Sequence, residues 1–310
     1  MKTKIIYTAT LTAILSLFSV VCVYAGSNAG VGTASYLRLI STPKTSAMGL
    51  AGTGLVNELE SIMYNPAAIA TLKQNSAEAV HMEYLTLIQH ETVIAGYILP
   101  WKGVMGLAVN SINFGDIAVT DTDELSGRDI PLDVMVPTVI IGTLSYAQKI
   151  FLPSLSAGVA VKYAQEKFST ADETDIANII SVDAGIMFEV NQSLTAGMCY
   201  QNIAGSSGKY ALPGVLKLGA GYKLLDNALT IAADFDLPSD AAGFFSIGTE
   251  FALTPNIALR AGYNTGTAAI TGGGITAGIG LTWEKWQLNY AYVPYGGLGL
   301  THRVGLKFTW

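Results

Sequence analysis

The stretch Arg303-Val304-Gly305-Leu306-Lys307-Phe308-Thr309-Trp310 alternates without a break. Val304, Leu306, Phe308 and Trp310 fall on one side, and Arg303, Gly305, Lys307 and Thr309 on the other. A period of two is that of a β-strand, whose successive side chains point to opposite faces. One face here is apolar and aromatic, the other small or charged, so the two faces meet different surroundings. The preceding stretch repeats the pattern, with Trp286, Leu288, Tyr290 and Tyr292 set against Gln287, Asn289 and Ala291. Three more follow it: Leu155 to Tyr163 around Lys162, Leu216 to Leu224 around Lys217 and Lys223, and Ile257 to Tyr263 around Arg260.

Composition says what the apolar faces meet. Of the 310 residues 50% are hydrophobic and only 13% charged, and the mean hydropathy is +0.41. Charged residues make up about a quarter of an ordinary soluble domain, so this balance points to a membrane. Beyond residue 25 no run of about 18 apolar residues escapes interruption by charge or glycine, which excludes transmembrane helices. Hydrocarbon leaves unpaired backbone groups no partner, so the remaining spanning structure is a closed β-barrel. About fourteen alternating segments can be counted, centred near residues 84, 96, 108, 142, 160, 183, 198, 219, 232, 247, 260, 278, 290 and 305. The expected fold is an all-β, fourteen-stranded antiparallel transmembrane barrel with an N-terminal plug of short helices.

The connections support this count. Those at Pro100-Trp101-Lys102, Leu152-Pro153, Asn191-Gln192, Asp226-Asn227, Thr254-Pro255 and Trp283-Glu284 are short. Those at Gly115 to Met135, Phe168 to Asp175, Ala204 to Pro213 and Gly266 to Gly273 read as long loops. Short turns on the periplasmic side and longer loops outside are the habit of outer-membrane barrels, which places the chain in the outer membrane of a Gram-negative-type bacterium. A water-soluble β-sandwich also alternates, but it would need a second sheet to cover every apolar face.

Lys2 and Lys4, the apolar run Leu11 to Val23 and Val23-Tyr24-Ala25 read as a signal peptide over residues 1–25, cleaved after Ala25. An uncleaved anchor is the rival, and Cys22 raises a lipoprotein alternative. Without the leader, 15 basic face 23 acidic residues, a net charge of about −8 that argues against nucleic acid. Cys199 alone remains, so no intrachain disulfide or paired-cysteine metal site can form.

Residues 26–76 do not alternate. Short helical or coiled pieces are expected at Tyr36 to Ile40, Ala47 to Gly52 and Tyr64 to Leu72, with Pro66 opening a helical turn and Asn65 as its cap. A barrel of this size is too wide for its own side chains to fill. This segment is therefore expected to plug the barrel of residues 77–310, with Asn65, Pro66 and Ala67 as the plug motif; a free periplasmic arm is the alternative.

The runs Tyr36-Leu37-Arg38-Leu39, Ser46-Ala47-Met48-Gly49-Leu50-Ala51-Gly52 and Tyr64-Asn65-Pro66-Ala67 resemble the opening of the PorV/PorQ family of outer-membrane proteins. Those barrels are themselves similar to FadL fatty-acid channels. Further runs occur in the family's order, among them Ser181-Val182-Asp183-Ala184-Gly185, Gln201-Asn202-Ile203-Ala204-Gly205, Ala258-Leu259-Arg260-Ala261-Gly262-Tyr263 and Leu298-Gly299-Leu300-Thr301-His302-Arg303. The chain departs from the family in having Ala68 where a glycine commonly follows. The closing Phe308-Thr309-Trp310 also resembles the signal read by the outer-membrane assembly machinery. The resemblance implies an accessory of protein secretion or surface attachment, of type IX kind, whose partners would be secreted cargo proteins. Its FadL side implies instead a channel for hydrophobic small molecules.

Little points to chemistry, and no cofactor is expected. The pairs Gly52/Gly54, Gly219/Gly221 and Gly278/Gly280 complete no nucleotide loop. His81 and His90, an odd number of positions apart, are expected on opposite faces of one strand, against a metal site with Glu83 and Glu91. The acidic stretch Asp121 to Asp129 lacks the spacing of a calcium loop. His302 has no assignable nucleophile, so no enzymatic activity is expected. The lumen-facing charges are more informative. Lys162, Lys217, Lys223, Arg260, Arg303 and Lys307 are expected to be balanced inside the barrel by Asp183, Glu189, Asp234, Asp236 and Glu250.

Overall fold

The computed structural model describes residues 33–85, 87–122, 129–170, 174–203, 206–207, 210–267 and 274–310. The signal-peptide reading over residues 1–25 and most of the acidic stretch 121–129 lie outside the described residues. Fourteen strands form one closed antiparallel wall: β1 (Ser76–Tyr84), β2 (Ile88–Ile98), β3 (Val104–Asn113), β5 (Asp129–Lys149), β6 (Leu155–Ser169), β7 (Thr174–Glu189), β8 (Leu194–Gln201), β11 (Val215–Leu224), β12 (Leu229–Pro238), β13 (Phe244–Thr254), β14 (Ile257–Asn264), β15 (Ile275–Trp283), β16 (Trp286–Pro294) and β17 (Leu300–Thr309). Neighbours in sequence are neighbours in the wall, and β1 pairs with β17 from Ser76↔Thr309 to Glu83↔His302, closing the barrel without an edge. These strands match the fourteen alternating segments, the first lying a few residues earlier than expected.

Alternation decides which way each side chain points. In β6, Val159, Val161 and Tyr163 are exposed on the outside while Ser156, Ala160 and Lys162 are buried inside. In β17, Val304 and Leu306 face out and Thr301 and Arg303 face in. Leu107, Ile140, Leu144, Ile180, Leu259, Leu281 and Leu288 are exposed in the same way. An apolar outer face around a closed ring of strands is the surface a bilayer demands, and the fold is that of a multi-pass outer-membrane barrel. Among the described residues no helix is long and apolar enough to cross a membrane.

Two expected loops prove to be largely strand. Gly115 to Met135 contains β4 (Ile117–Thr122), which pairs from Ile117↔Met135 to Thr122↔Asp129 with the outer part of the 21-residue β5. Backbone pairing carries on beyond the wall, and the two strands satisfy each other as a ribbon. Likewise β6 runs to Ser169 and β7 starts at Thr174, so both ends of the Phe168 to Asp175 stretch are paired strand, Phe168↔Asp175 and Ser169↔Thr174. Two-residue strands β9 (Ser206–Ser207) and β10 (Tyr210–Ala211) pair within the Ala204 to Pro213 connection.

The N-terminal segment runs inside this wall. It contains a 3₁₀ turn at Ser35–Arg38, the helix α1 (Pro43–Ala47), and 3₁₀ turns at Leu59–Met63 and Pro66–Thr71. The helical piece expected at Ala47 to Gly52 ends where it was to begin. Pro43 starts α1 early, and the chain then turns through Gly49 (φ +68°) and Leu50 (φ +70°). At Gly49 a Cβ would stand 2.7 Å from the backbone N of Tyr263, so only glycine lets the segment press this closely on β14. The core of the molecule lies between segment and wall. Leu59, Ile62, Ile69 and Leu72 pack on Ile94, Val104, Ala108 and Ala147. Leu37 packs near Ile112, Val139, Ile141 and Ile179.

Candidate functional site: the charged lumen and the outer cavity

The asparagine-proline-alanine step sits deep in the lumen. The Asn65 side chain accepts from Ala67 N at 3.1 Å and so caps the Pro66 turn. Its amide also donates to the carbonyls of Thr53 (3.1 Å) and of Ile186 on β7 (3.0 Å). One fully buried side chain thus fixes the turn, a second stretch of the segment and the wall.

The lumen charges fall into groups. Lys162 pairs with Asp183 at 2.7 Å. Lys217 pairs with Asp236, and Asp234 beside it accepts from the backbone N of Gly52 (2.9 Å) and Thr53 (2.8 Å). Arg260 meets Glu250 at 2.6 Å and Asn289 at 2.9 Å. Glu189 stands at the mouth on the Ser76 and Trp310 end, paired with Lys149 at 2.7 Å, and Lys223 lines the same mouth. Lys307 is half-buried in register with Glu78. Arg303 is 1% exposed and, among the described residues, meets no carboxylate.

Several partners come from the non-alternating segment, where no periodicity could have found them. Lys44 pairs with Glu58 (2.6 Å) and Glu250 (2.9 Å), linking α1 to the wall. Burial alone would lower the Lys44 pKa, but Glu250 and Glu58 outweigh it and hold the ammonium above its usual range. Glu60 accepts from Lys44 N (3.0 Å) and Thr45 N (2.9 Å), closing the start of α1. Arg38 grips Asp240 through two bonds of 2.6 and 3.0 Å, tying the segment to the β12–β13 connection. Glu78 and Lys149 lie on alternating strands, Glu78 beside inward-facing Ser76 and Val80 and Lys149 two positions past buried Ala147, and are legible there.

At the end away from Ser76 and Trp310 the segment leaves open space. A cavity of about 710 Å³ is lined by Leu50, Tyr84, Val215, Phe244, Tyr295 and Leu298, with Arg38, Lys217 and Asp236 among its polar walls. A second apolar cavity of about 510 Å³ is lined by Tyr36, Leu39, Tyr84, Phe114, Met135 and Phe168. Tyr84 borders both. The opposite end holds a cavity of about 880 Å³ that is polar, with Asn57, Lys73, Asn191, Lys223, Asp226 and Asn227 in its walls.

The histidines are placed by register. His81 and His90 lie on two strands, β1 and β2, rather than on one, and Met82 faces His90 in the ladder. His81 faces out beside Glu91 at 2.6 Å, and His90 faces in toward Asn110 at 3.1 Å. His302 bonds the Tyr290 hydroxyl at 2.8 Å. Among the described residues no three His, Cys, Asp or Glu side chains gather as metal ligands.

No family model matches the sequence, and no curated protein is similar to it. Solved structures are similar in fold. The Ralstonia pickettii toluene transporter TbuX has a TM-score of 0.60 at 13% identity, over 86% of this chain and 96% of that one. The P. putida toluene transporter TodX has a TM-score of 0.61 at 12% identity, over 88% and 99%. A Pseudomonas aeruginosa FadL homologue has a TM-score of 0.54 at 13% identity, over 93% and 98%. The architecture shared with these three is a FadL-like outer-membrane barrel.

Proposed function

We propose that this barrel is a non-enzymatic channel through which small hydrophobic molecules cross the outer membrane. The observation that carries the reading is the outer cavity of about 710 Å³, whose surface is mostly apolar, with Leu50, Val215, Phe244 and Leu298 in its walls and Arg38, Gln201, Lys217, Asp236 and Asn264 as polar groups beside them. Pockets of roughly 300–1,000 Å³ with apolar walls and a few placed polar groups suit small-molecule guests. The second apolar cavity, sharing Tyr84, adds a neighbouring foothold on the same side. The fold likeness to two toluene transporters supports the reading.

The test is uptake of radiolabelled toluene by cells carrying the barrel as their only channel of this kind. Ala242, which lines the cavity, is replaced by Trp to fill it. Uptake is expected to fall toward that of cells lacking the barrel, with its amount in the membrane unchanged; equal uptake by both forms rejects the reading.

The ribbon beyond the wall favours the secretion reading as a second possibility. Ile117 and Val134 are exposed on it, offering secreted cargo a surface, and the sequence resemblance to PorV/PorQ points the same way. Deleting the gene would then block export of surface proteins. Normal export in the deletion strain rejects this reading and leaves the channel untouched.

A further inference from the structure

Four cations are buried among the described residues: Lys162, Lys217, Arg260 and Arg303. The first three each touch a carboxylate. Arg303 does not. Its Nε donates to the Met82 sulfur at 3.0 Å, a weak acceptor, and one terminal nitrogen reaches the Tyr295 hydroxyl at 3.4 Å. The other terminal nitrogen, Nη1, is buried and has no partner. Thr301 is the next inward-facing residue on β17; it is fully buried and its hydroxyl is also unpartnered. A third orphan donor, the Asn110 amide, lies on β3, and Asn110 bonds the His90 that stands across Met82 from Arg303.

A guanidinium always carries its charge. Burying it without a counter-charge is strongly unfavourable, and a neutral hydrogen-bond partner would satisfy its N–H groups but not that charge. We propose that Arg303 and Thr301 form a binding site for one small monovalent anion, of carboxylate or halide size. The single positive charge sets the valence, and the thioether and phenol surroundings exclude heavily hydrated divalent anions. Access runs from the outer cavity, which Tyr84 and Tyr295 line; their rings meet edge to face at 5.3 Å beside the guanidinium. The charge arrives either as a free anion or as the acidic end of a guest in the cavity. Only the second source rests on the channel reading.

The experiment uses the full chain in zwitterionic detergent. Sodium acetate is titrated against sodium gluconate, too bulky for the site, at constant ionic strength while thermal unfolding is followed. Acetate is expected to raise the melting temperature saturably, and Arg303→Met to abolish the response. Should Arg303→Met fail to fold, Thr301→Val keeps the test, with the acetate midpoint moving to higher concentration. Identical melting in acetate and gluconate overturns the site, as does a response that survives in Arg303→Met or an acetate midpoint that Thr301→Val leaves unmoved. Benzoate and toluene, which share a ring and differ in charge, then separate the sources. A benzoate midpoint at least about tenfold below that of acetate, with no toluene response at Arg303, assigns the anion to a guest. Equal acetate and benzoate midpoints assign it to a free anion. Failure of toluene uptake would sink the channel while leaving the acetate response standing.

Discussion

The Asn65 side chain accepts from Ala67 N and donates to the carbonyls of Thr53 and Ile186, all within 3.1 Å and fully buried. Asn65→Ala therefore removes a cap and takes a donor from the carbonyls of Thr53 and Ile186, a cost of about 1–3 kcal/mol. Urea unfolding should show that loss, while unchanged stability would mean the segment is seated by packing alone. Buried ion pairs behave differently. Lys217 and Asp236 are matched in the lumen, so Asp236→Ala leaves a buried ammonium without its partner, at a cost of about 3–5 kcal/mol. The double variant Lys217→Met/Asp236→Leu should recover much of that, because desolvation is relieved along with the attraction. A double variant no better than the single one would show that Lys217 does more than neutralise Asp236. The charge alternation marked both residues as inward-facing, but it could not say which cation meets which carboxylate.

An element here is shaped by what it faces on each side. β6 alternates Val159, Val161 and Tyr163 outward with Gly158, Ala160 and Lys162 inward. The glycine is a socket: a Cβ there would stand 2.6 Å from Ala67 N, so the Pro66 turn and the strand touch backbone to backbone. Gly158→Ala should unseat the turn, costing about 1–3 kcal/mol as overpacking does. Thermal unfolding together with faster proteolysis within residues 57–72 would register it, and wild-type values for both would refute the close contact. Periodicity identified β6 and its faces but not the socket, since a small inward residue reads equally well as lumen lining. The same limit explains β4 and the outer half of β5. Backbone pairing continues past the wall, where no lipid imposes an apolar face, and a strand there looks in sequence like either strand or loop.

For the whole molecule, the low charge and high hydropathy are a surface property. Exposed Val161 and buried Lys162 are adjacent in sequence and lie on opposite sides of one wall. Val161→Arg sets a charge against lipid and should cost about 2–4 kcal/mol if it lies near the bilayer centre. Urea titration of the barrel in lipid vesicles measures that, and a negligible change would place this part of the wall outside the hydrocarbon. The segment filling the lumen leaves two apolar cavities at the end away from Ser76 and Trp310.

Sequence alone determined the strand count, the closure and which residue of each alternating pair faces lipid, because a period of two and the need to pair every backbone group in hydrocarbon are local requirements. It also marked the Asn65 cap, since capping acts within a single turn. Only the tertiary structure decided that Lys44 meets Glu58 and Glu250, that Arg38 grips Asp240, and that Arg303 is left without a carboxylate. Those outcomes depend on where a non-repeating segment crosses the lumen. Such a path is fixed by packing between residues up to about 200 positions apart, as with Arg38 and Asp240, and leaves no periodic trace in the chain.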